Sequence, residues 1–176
     1  SGKYGAGIGG GYKGAGTVTI SGGTVTAISG EYSTGIGDGY GAGIGGGHNG
    51  TGTVTISGGK ITATGVDGAG IGGGYDAETT TTTVIIEGGE ITANSTSGAG
   101  IGSGMSGTAT VNISGGKITA TGEYGACIGS GRNGTATVTI SGGEIAASTG
   151  QYGAGIGGGY FGTATVTISG GKIKVT

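Results

Sequence analysis

The sequence predicts an all-β protein: a right-handed parallel β-helix with three sides and six coils of about 28 residues, filling residues 1–176 as one domain. Three observations lead there. The block Gly-Ala-Gly-Ile-Gly-Gly-Gly begins at Gly5, Gly41, Gly68 and Gly153, with variants at Gly98 and Gly125, so successive copies lie 36, 27, 30, 27 and 28 residues apart. Each copy is followed by a Thr-Val-Thr-Ile-Ser-Gly-Gly-like run and then by a Lys-Ile-Thr-Ala-like run. Within both runs apolar residues alternate with hydroxyls, the period-two pattern of a half-buried strand.

Composition removes the competing classes. Glycine accounts for 54 of 176 residues, but there is no proline and no strict third-position glycine, so a collagen helix fails. Disorder fails too, because Val and Ile recur at fixed places among β-branched Thr and only 9% of residues are charged. An apolar share of 32% suits a thin structure whose interior is one stack of small side chains. The net charge of −2 argues against nucleic-acid and anionic-membrane partners, which want a basic face. A single cysteine, Cys127, makes an internal disulfide impossible. No run reaches the length of a membrane span, and no signal peptide is visible. The chain opens on Ser1 and enters a repeat almost at once, as expected of a processed protein or a piece of a longer array.

The second repeat shows how each element arises. Thr53-Val54-Thr55-Ile56 is a strand, Ser57-Gly58-Gly59 a turn, and Lys60-Ile61-Thr62-Ala63 a second strand with Ile61 and Ala63 inward. Thr64–Asp67 turns the chain again, and a third strand follows with Ala69 and Ile71 inward and Gly68, Gly70 and Gly72 outward. Strands this short cannot pair within one repeat, so each pairs in parallel with its counterpart in the next.

Stacking then predicts interior ladders in register. Four are present: Ile8, Ile44, Ile71, Ile101, Ile128 and Ile156; Val18, Val54, Val84, Val111, Val138 and Val166; Ile20, Ile56, Ile86, Ile113, Ile140 and Ile168; and Val25, Ile61, Ile91, Ile118, Ile145 and Ile173. On the outside, Thr24, Lys60, Glu90, Lys117, Glu144 and Lys172 share a column of mostly alternating charge. Each exposed pair contributes only about 0.2–1 kcal/mol, so the column chiefly selects register. Six coils at a spacing of roughly 4.8 Å make a rod about 29 Å long. Extra residues at Glu31–Gly39 interrupt the first coil and are expected to loop out, and neither end carries a capping helix. Bare solenoid ends are open sheet edges, so end-to-end or face-to-face self-association is expected.

No motif specifies catalysis, a cofactor or a metal. Gly41-Ala42-Gly43-Ile44-Gly45-Gly46 fits the dinucleotide pattern, but it recurs along the chain without a following helix. Asp76, Glu78, Glu87 and Glu90 fall in one repeat and would be the place for paired carboxylates to meet at a corner, although no oriented partner is evident. His48 and Arg132 each sit in a turn after a glycine block and read as solvated. Cys127 replaces a glycine expected to face outward, which predicts an exposed thiol. Four Asn-x-Ser/Thr sequons occur, at Asn49, Asn94, Asn112 and Asn133, in a chain where threonine makes such matches cheap.

Two repeating surfaces remain. One is a threonine face: Thr53, Thr83, Thr110, Thr137 and Thr165, with Thr51, Thr81, Thr108, Thr135 and Thr163 two residues upstream of each, give Thr-x-Thr in five successive coils. The other is a glycine face, read as a smooth floor rimmed by Tyr4, Tyr40, Tyr124 and Tyr152 on one side and Tyr12, Tyr75 and Tyr160 on the other. Such a floor suits an extended polymer, since aromatic faces stack on sugar rings while phenolic hydroxyls stay wet. It would equally suit packing against a second solenoid, or the tyrosines would simply cover the corners of a thin core.

The Thr-Val-Thr-Ile-Ser-Gly-Gly-x-Ile-Thr-Ala units with intervening Gly-Ala-Gly-Ile-Gly-Gly-Gly resemble the repeats of large secreted surface proteins of Gram-positive bacteria, some of them carbohydrate-binding or adhesin-like. The Thr-x-Thr ladders are similar to those of β-solenoid antifreeze proteins. These resemblances imply a secreted or cell-surface, non-enzymatic module. Polysaccharide or another solenoid would be its partner, with ice binding as the alternative and filament formation third.

Overall fold

The computed structural model describes residues 3–30, 39–77 and 81–176. They form three parallel six-stranded sheets, with no helix among the described residues. Each coil gives one strand to each sheet; the coil around Ile101 contributes Ile101–Gly102, Thr108–Ile113 and Lys117–Gly122. Every strand pairs with its counterpart one coil away, which makes the molecule a β-solenoid. The expected loop at Glu31–Gly39 lies, but for Gly39, outside the described residues.

The four interior ladders pair as expected. Ile101 lies opposite Ile71 and Ile128, Val111 opposite Val84 and Val138, and Ile118 opposite Ile91 and Ile145. Twelve isoleucines from the inner coils are fully buried, so the core is a column of branched aliphatics one side chain wide. Small residues complete it: Ala63, Ala93, Ala120 and Ala147 in one sheet and Ala109 and Ala136 in another. The terminal coils leave members of the same ladders open, with Ile168 51% exposed and Ile8, Val166 and Val175 also exposed.

The glycine block departs from the expected open strand. Only Ile-Gly of each block is extended. In every coil the block closes on itself: the alanine N–H donates to the carbonyl four residues on, as in Ala42 to Gly46 and Ala126 to Ser130, both 2.9 Å. Gly41–Gly47 is buried throughout, as are 68–74, 98–104 and 125–131, so in the inner coils no bare glycine floor faces solvent. The inward–outward alternation used to place Gly68, Gly70 and Gly72 outside does not apply to a closed turn.

Two constraints make glycine necessary there. Gly45, Gly72, Gly102 and Gly129 hold φ between +133° and +139°, a region L side chains rarely adopt. A Cβ at Gly102 would also fall on the carbonyl oxygen of Gly129 in the next coil, because it would point along the solenoid axis rather than in or out. Cys127 is corrected for the same reason. It is fully buried, its thiol donates to the Ser148 carbonyl at 3.1 Å, and burial pushes the thiol above its ordinary range.

The charge column forms in the expected register, with Lys60 opposite Glu90, Glu90 opposite Lys117, and Glu144 between Lys117 and Lys172. Lys172 Nζ donates to Glu144 at 2.9 Å, and Lys60 Nζ lies 3.8 Å from Glu90. The Lys172 hydrogen bond, then its charge, holds the Glu144 carboxyl below the usual glutamate range. A depressed carboxyl contributes stability above its unfolded pKa and loses it as pH falls through the folded value.

Two outcomes follow from this packing. Gly102→Ala should lower stability by at least ~1–3 kcal/mol from backbone conformation alone. Gly22→Ala, where an added Cβ meets nothing within 4 Å, should change it little. Equal urea midpoints for the two variants would refute the axial-contact argument. Lys172→Met should raise the Glu144 pKa toward the ordinary value in a carboxyl NMR titration, and an unmoved titration would deny the pair any role.

Candidate functional site

The closed glycine turn has one direct effect on the surface: it returns the chain to where it entered. Tyr40 precedes the block and His48 follows it, yet their ring centroids are 5.0 Å apart. The two tyrosine-rich columns, expected on opposite rims, are therefore adjacent. Backbone hydrogen bonds tie them together: His48 N–H donates to Tyr4 O, Tyr75 to Tyr40, Arg132 to Ser97 and Tyr160 to Tyr124, at 2.7–2.8 Å.

The first three coils bring Tyr4, Tyr12, Tyr40, His48 and Tyr75 around one basin of about 540 Å³. Tyr4 stacks near-parallel to Tyr40, and Tyr12 to His48, each pair at 5.5 Å; Tyr75 closes the group at 5.4 Å from Tyr40 and 5.2 Å from His48. Lys3 Nζ lies 5.2 Å from the Tyr40 centroid and Lys13 Nζ 5.4 Å from that of Tyr12, within cation–π reach. The last two coils form a second group. Tyr124 and Tyr152 stack at 5.0 Å, Tyr160 lies 5.4 Å from Tyr152, and Phe161 packs 4.1 Å from Tyr160, with Arg132 5.7 Å from the Tyr160 ring.

His48 is more than a solvated turn residue. It is half-buried among tyrosines, and desolvation outweighs the attraction of Asp76 to set its pKa below the ordinary histidine value, with Lys13 adding to the depression. Its place in the column of Tyr12 and Tyr75 was the available signal. Residues just after this column hold a left-handed backbone in every coil: Lys13, Asn49, Asp76, Ser106, Asn133 and Phe161 have φ of +54° to +61°. With its amide nitrogen toward Asp76, Asn49 donates to the Asp76 carbonyl at 2.8 Å and to its carboxylate at 3.1 Å.

The threonine columns stack in register, with Thr108 opposite Thr81 and Thr135, and Thr110 opposite Thr83 and Thr137. Thr53, Thr81, Thr135, Thr137, Thr163 and Thr165 are exposed, while Thr51, Thr83, Thr108 and Thr110 are half-buried. Thr135 and Thr163 hydroxyls lie 3.3 Å apart. One hydroxyl in this sheet turns inward: Thr82 is fully buried and its Oγ1 accepts from Gly52 N–H at 3.3 Å. A second hydroxyl surface escaped the sequence argument. Thr64, Asn94, Thr121 and Ser148 line a shallow groove of about 390 Å³ on the charge-bearing sheet, with Thr121 Oγ1 donating to Asn94 Oδ1 at 2.8 Å. It was legible as a further outward column but was hidden by its mixed composition.

Of Asp76, Glu78, Glu87 and Glu90, which share one repeat, Asp76 stands apart from Glu87 and Glu90, which flank the turn between the strands Thr81–Ile86 and Glu90–Ser95. Asp76 precedes the strand Thr81–Ile86 and Glu87 follows it, so the two stand about 20 Å apart at opposite ends of six extended residues, and Glu78 lies outside the described residues. Among the described residues no three His, Cys, Asp or Glu side chains group as a metal site, and no helix is long and apolar enough to cross a membrane.

A family model described as beta helix repeat matches residues 18–48, 54–75, 84–105, 111–132 and 138–160, together more than half the chain. The chain belongs to the beta helix repeat family. Comparison of this beta helix repeat protein with curated proteins and with solved structures returned no match. The matched segments run from the valine ladder to the second aromatic column, so the closing turn at the aromatic corner is itself part of the family repeat.

The lowered His48 pKa sets a pH dependence. A histidine that folding keeps neutral adds stability above its unfolded pKa, and that stability falls as pH drops from about 6.5 toward the folded value. Tyr75→Ala should raise the His48 pKa by admitting water, as read from the imidazole C2 proton. A pKa unchanged by the substitution would mean that the basin does not desolvate the ring.

Proposed function

We propose that the chain is a non-enzymatic binding module of a secreted or cell-surface protein, adhesin-like, which holds polysaccharide at its aromatic corner. The open basin lined by Tyr4, Tyr12, Tyr40, His48 and Tyr75 carries this reading. Tyrosine combines an apolar ring with a hydrogen-bonding tip, and so suits a ligand whose ring faces are apolar and whose edges bear hydroxyls. Pockets for small ligands combine mostly apolar walls with a few polar groups, and here His48 and the phenols supply them. The backbone ties across the corner hold the rings in place before any ligand arrives, which limits the ordering cost of binding. The separation of Asp76 from Glu87 supports a non-catalytic role, and the same exposed rings would also suit another solenoid as a partner.

A second reading is ice binding through the threonine sheet, favoured by the register of Thr53 with Thr83 and of Thr81/Thr83, Thr108/Thr110, Thr135/Thr137 and Thr163/Thr165, with Thr51 just ahead of its strand. The two readings separate by mutation. On a glycan array Tyr40→Ala and Tyr75→Ala should weaken the best ligand about tenfold or more, the loss of at least ~1.4 kcal/mol expected at a binding hot spot. Bulky replacements Thr110→Tyr and Thr137→Tyr should leave that ligand untouched. Thermal hysteresis that vanishes with the threonine variants and survives the tyrosine variants would replace the glycan reading with the ice reading.

A further inference from the structure

The aromatic corner divides into two stations. Tyr4, Tyr12, Tyr40, His48 and Tyr75 occupy the first three coils, and Tyr124, Tyr152, Tyr160 and Phe161 the last two. Between them the same columns carry Asp67, Ser97, Met105 and Arg132. We propose that both stations engage a single linear, uncharged polysaccharide laid parallel to the solenoid axis. Tight binding then requires a ligand long enough to reach from one station to the other. This inference rests on the glycan reading of the corner and adds to it the shape and charge of the ligand.

Three observations support it. Alignment comes first. Both stations are built on the same two columns, joined coil by coil through the same backbone hydrogen bonds, so they face one side at a fixed separation. Tyr40 and Tyr152 are four coils apart, about 19 Å at the usual strand spacing. A site that long favours an extended polymer over a compact sugar.

Charge is the second. Lys3, Lys13 and Arg132 each lie against a tyrosine ring, while Asp67 and Asp76 stand on the same corner. With Glu123, which holds before Tyr124 the place that Lys3 holds before Tyr4, three cations are set against three carboxylates, and the described residues of the corner form no basic stripe of the kind a polyanion follows. Arg132 is itself half-buried with its guanidinium over the Tyr160 ring, so its charge belongs to the second station and does not form a separate anion site.

The third is Phe161. Its column takes Asn or Asp in three other coils, types that tolerate a left-handed backbone. Phe161 adopts the same conformation at φ +55° as a bulky residue, and is 76% exposed. Neither burial nor backbone preference accounts for it. An outward aromatic that widens the Tyr160 platform does.

The test is calorimetric titration of the whole chain with size-graded oligosaccharides of mannan, xylan and mixed-linkage glucan, with pectate and heparin as anionic probes. Oligomers shorter than the gap should bind weakly. Those spanning it should bind ~10²–10⁴-fold more tightly, the gain typical of linked sites. Tyr40→Ala and Tyr152→Ala should each reduce the affinity of long ligands to that of short ones. Tyr152→Phe should retain most of it, with far-UV circular dichroism confirming the fold of each variant. Equal affinity for short and long oligomers would overturn the two-station proposal and leave the glycan reading standing. Preference for pectate or heparin would overturn its uncharged ligand. Binding to no glycan at all would remove the glycan reading itself.

Discussion

The structure depends on the close vertical approach of one coil to the next at the glycine corner. Two sides of the solenoid are built from strands of four to six residues, long enough for the backbone ladder and side-chain columns to hold themselves in place. The third side has only Ile-Gly to pair. There the coils are brought together by the closed turn, and the approach is possible because Gly45, Gly72, Gly102 and Gly129 carry no Cβ where the next carbonyl stands. With that corner closed, alanine and isoleucine fill a core one side chain wide. The same closure juxtaposes the residues on either side of the block, so the aromatic surface is a by-product of how the coil shuts.

Much of the fold was legible from the chain. Period-two runs of Val, Ile and Thr, repeated at near-constant offsets, fix strand identity, parallel pairing and register, because a slip of one residue would turn every ladder inside out. The site was legible only in its residues. Tyr4, Tyr12, Tyr40, Tyr75, Tyr124, Tyr152 and Tyr160 were identifiable as two columns, but their relation was misjudged. Alternation describes extended backbone, whereas the glycine block runs through positive φ and closes within five residues. The same failure of parity placed Cys127 outside when its thiol lies in the core against Ser148. His48 was undervalued because a lone histidine says little until the rings beside it are known.

Polar groups inside the stack show how closely the coils are matched. Ser103 and Ser130 stand where other coils carry glycine, and each side chain accepts from a glycine N–H one coil on, Gly131 at 3.0 Å and Gly159 at 3.2 Å. Thr82 accepts in the same way from Gly52 N–H, one coil back. A buried hydroxyl is tolerated here because it meets a backbone donor otherwise short of a partner. The variation between repeats is therefore confined: interior columns exchange glycine, alanine and small hydroxyls, while the outward columns exchange tyrosine, charge and threonine freely.

The alternating column of Lys60, Glu90, Lys117, Glu144 and Lys172 gives the array a parity. Excising the single coil that carries Lys117 would set Glu90 directly against Glu144. Excising that coil together with its Glu90 neighbour would bring Lys60 to Glu144 and leave every contact attractive. Parallel backbone pairing is open to either product, and it is the charge column that distinguishes even from odd. An array built this way lengthens and shortens with least penalty two coils at a time, and its natural unit of duplication is a pair of repeats of opposite charge.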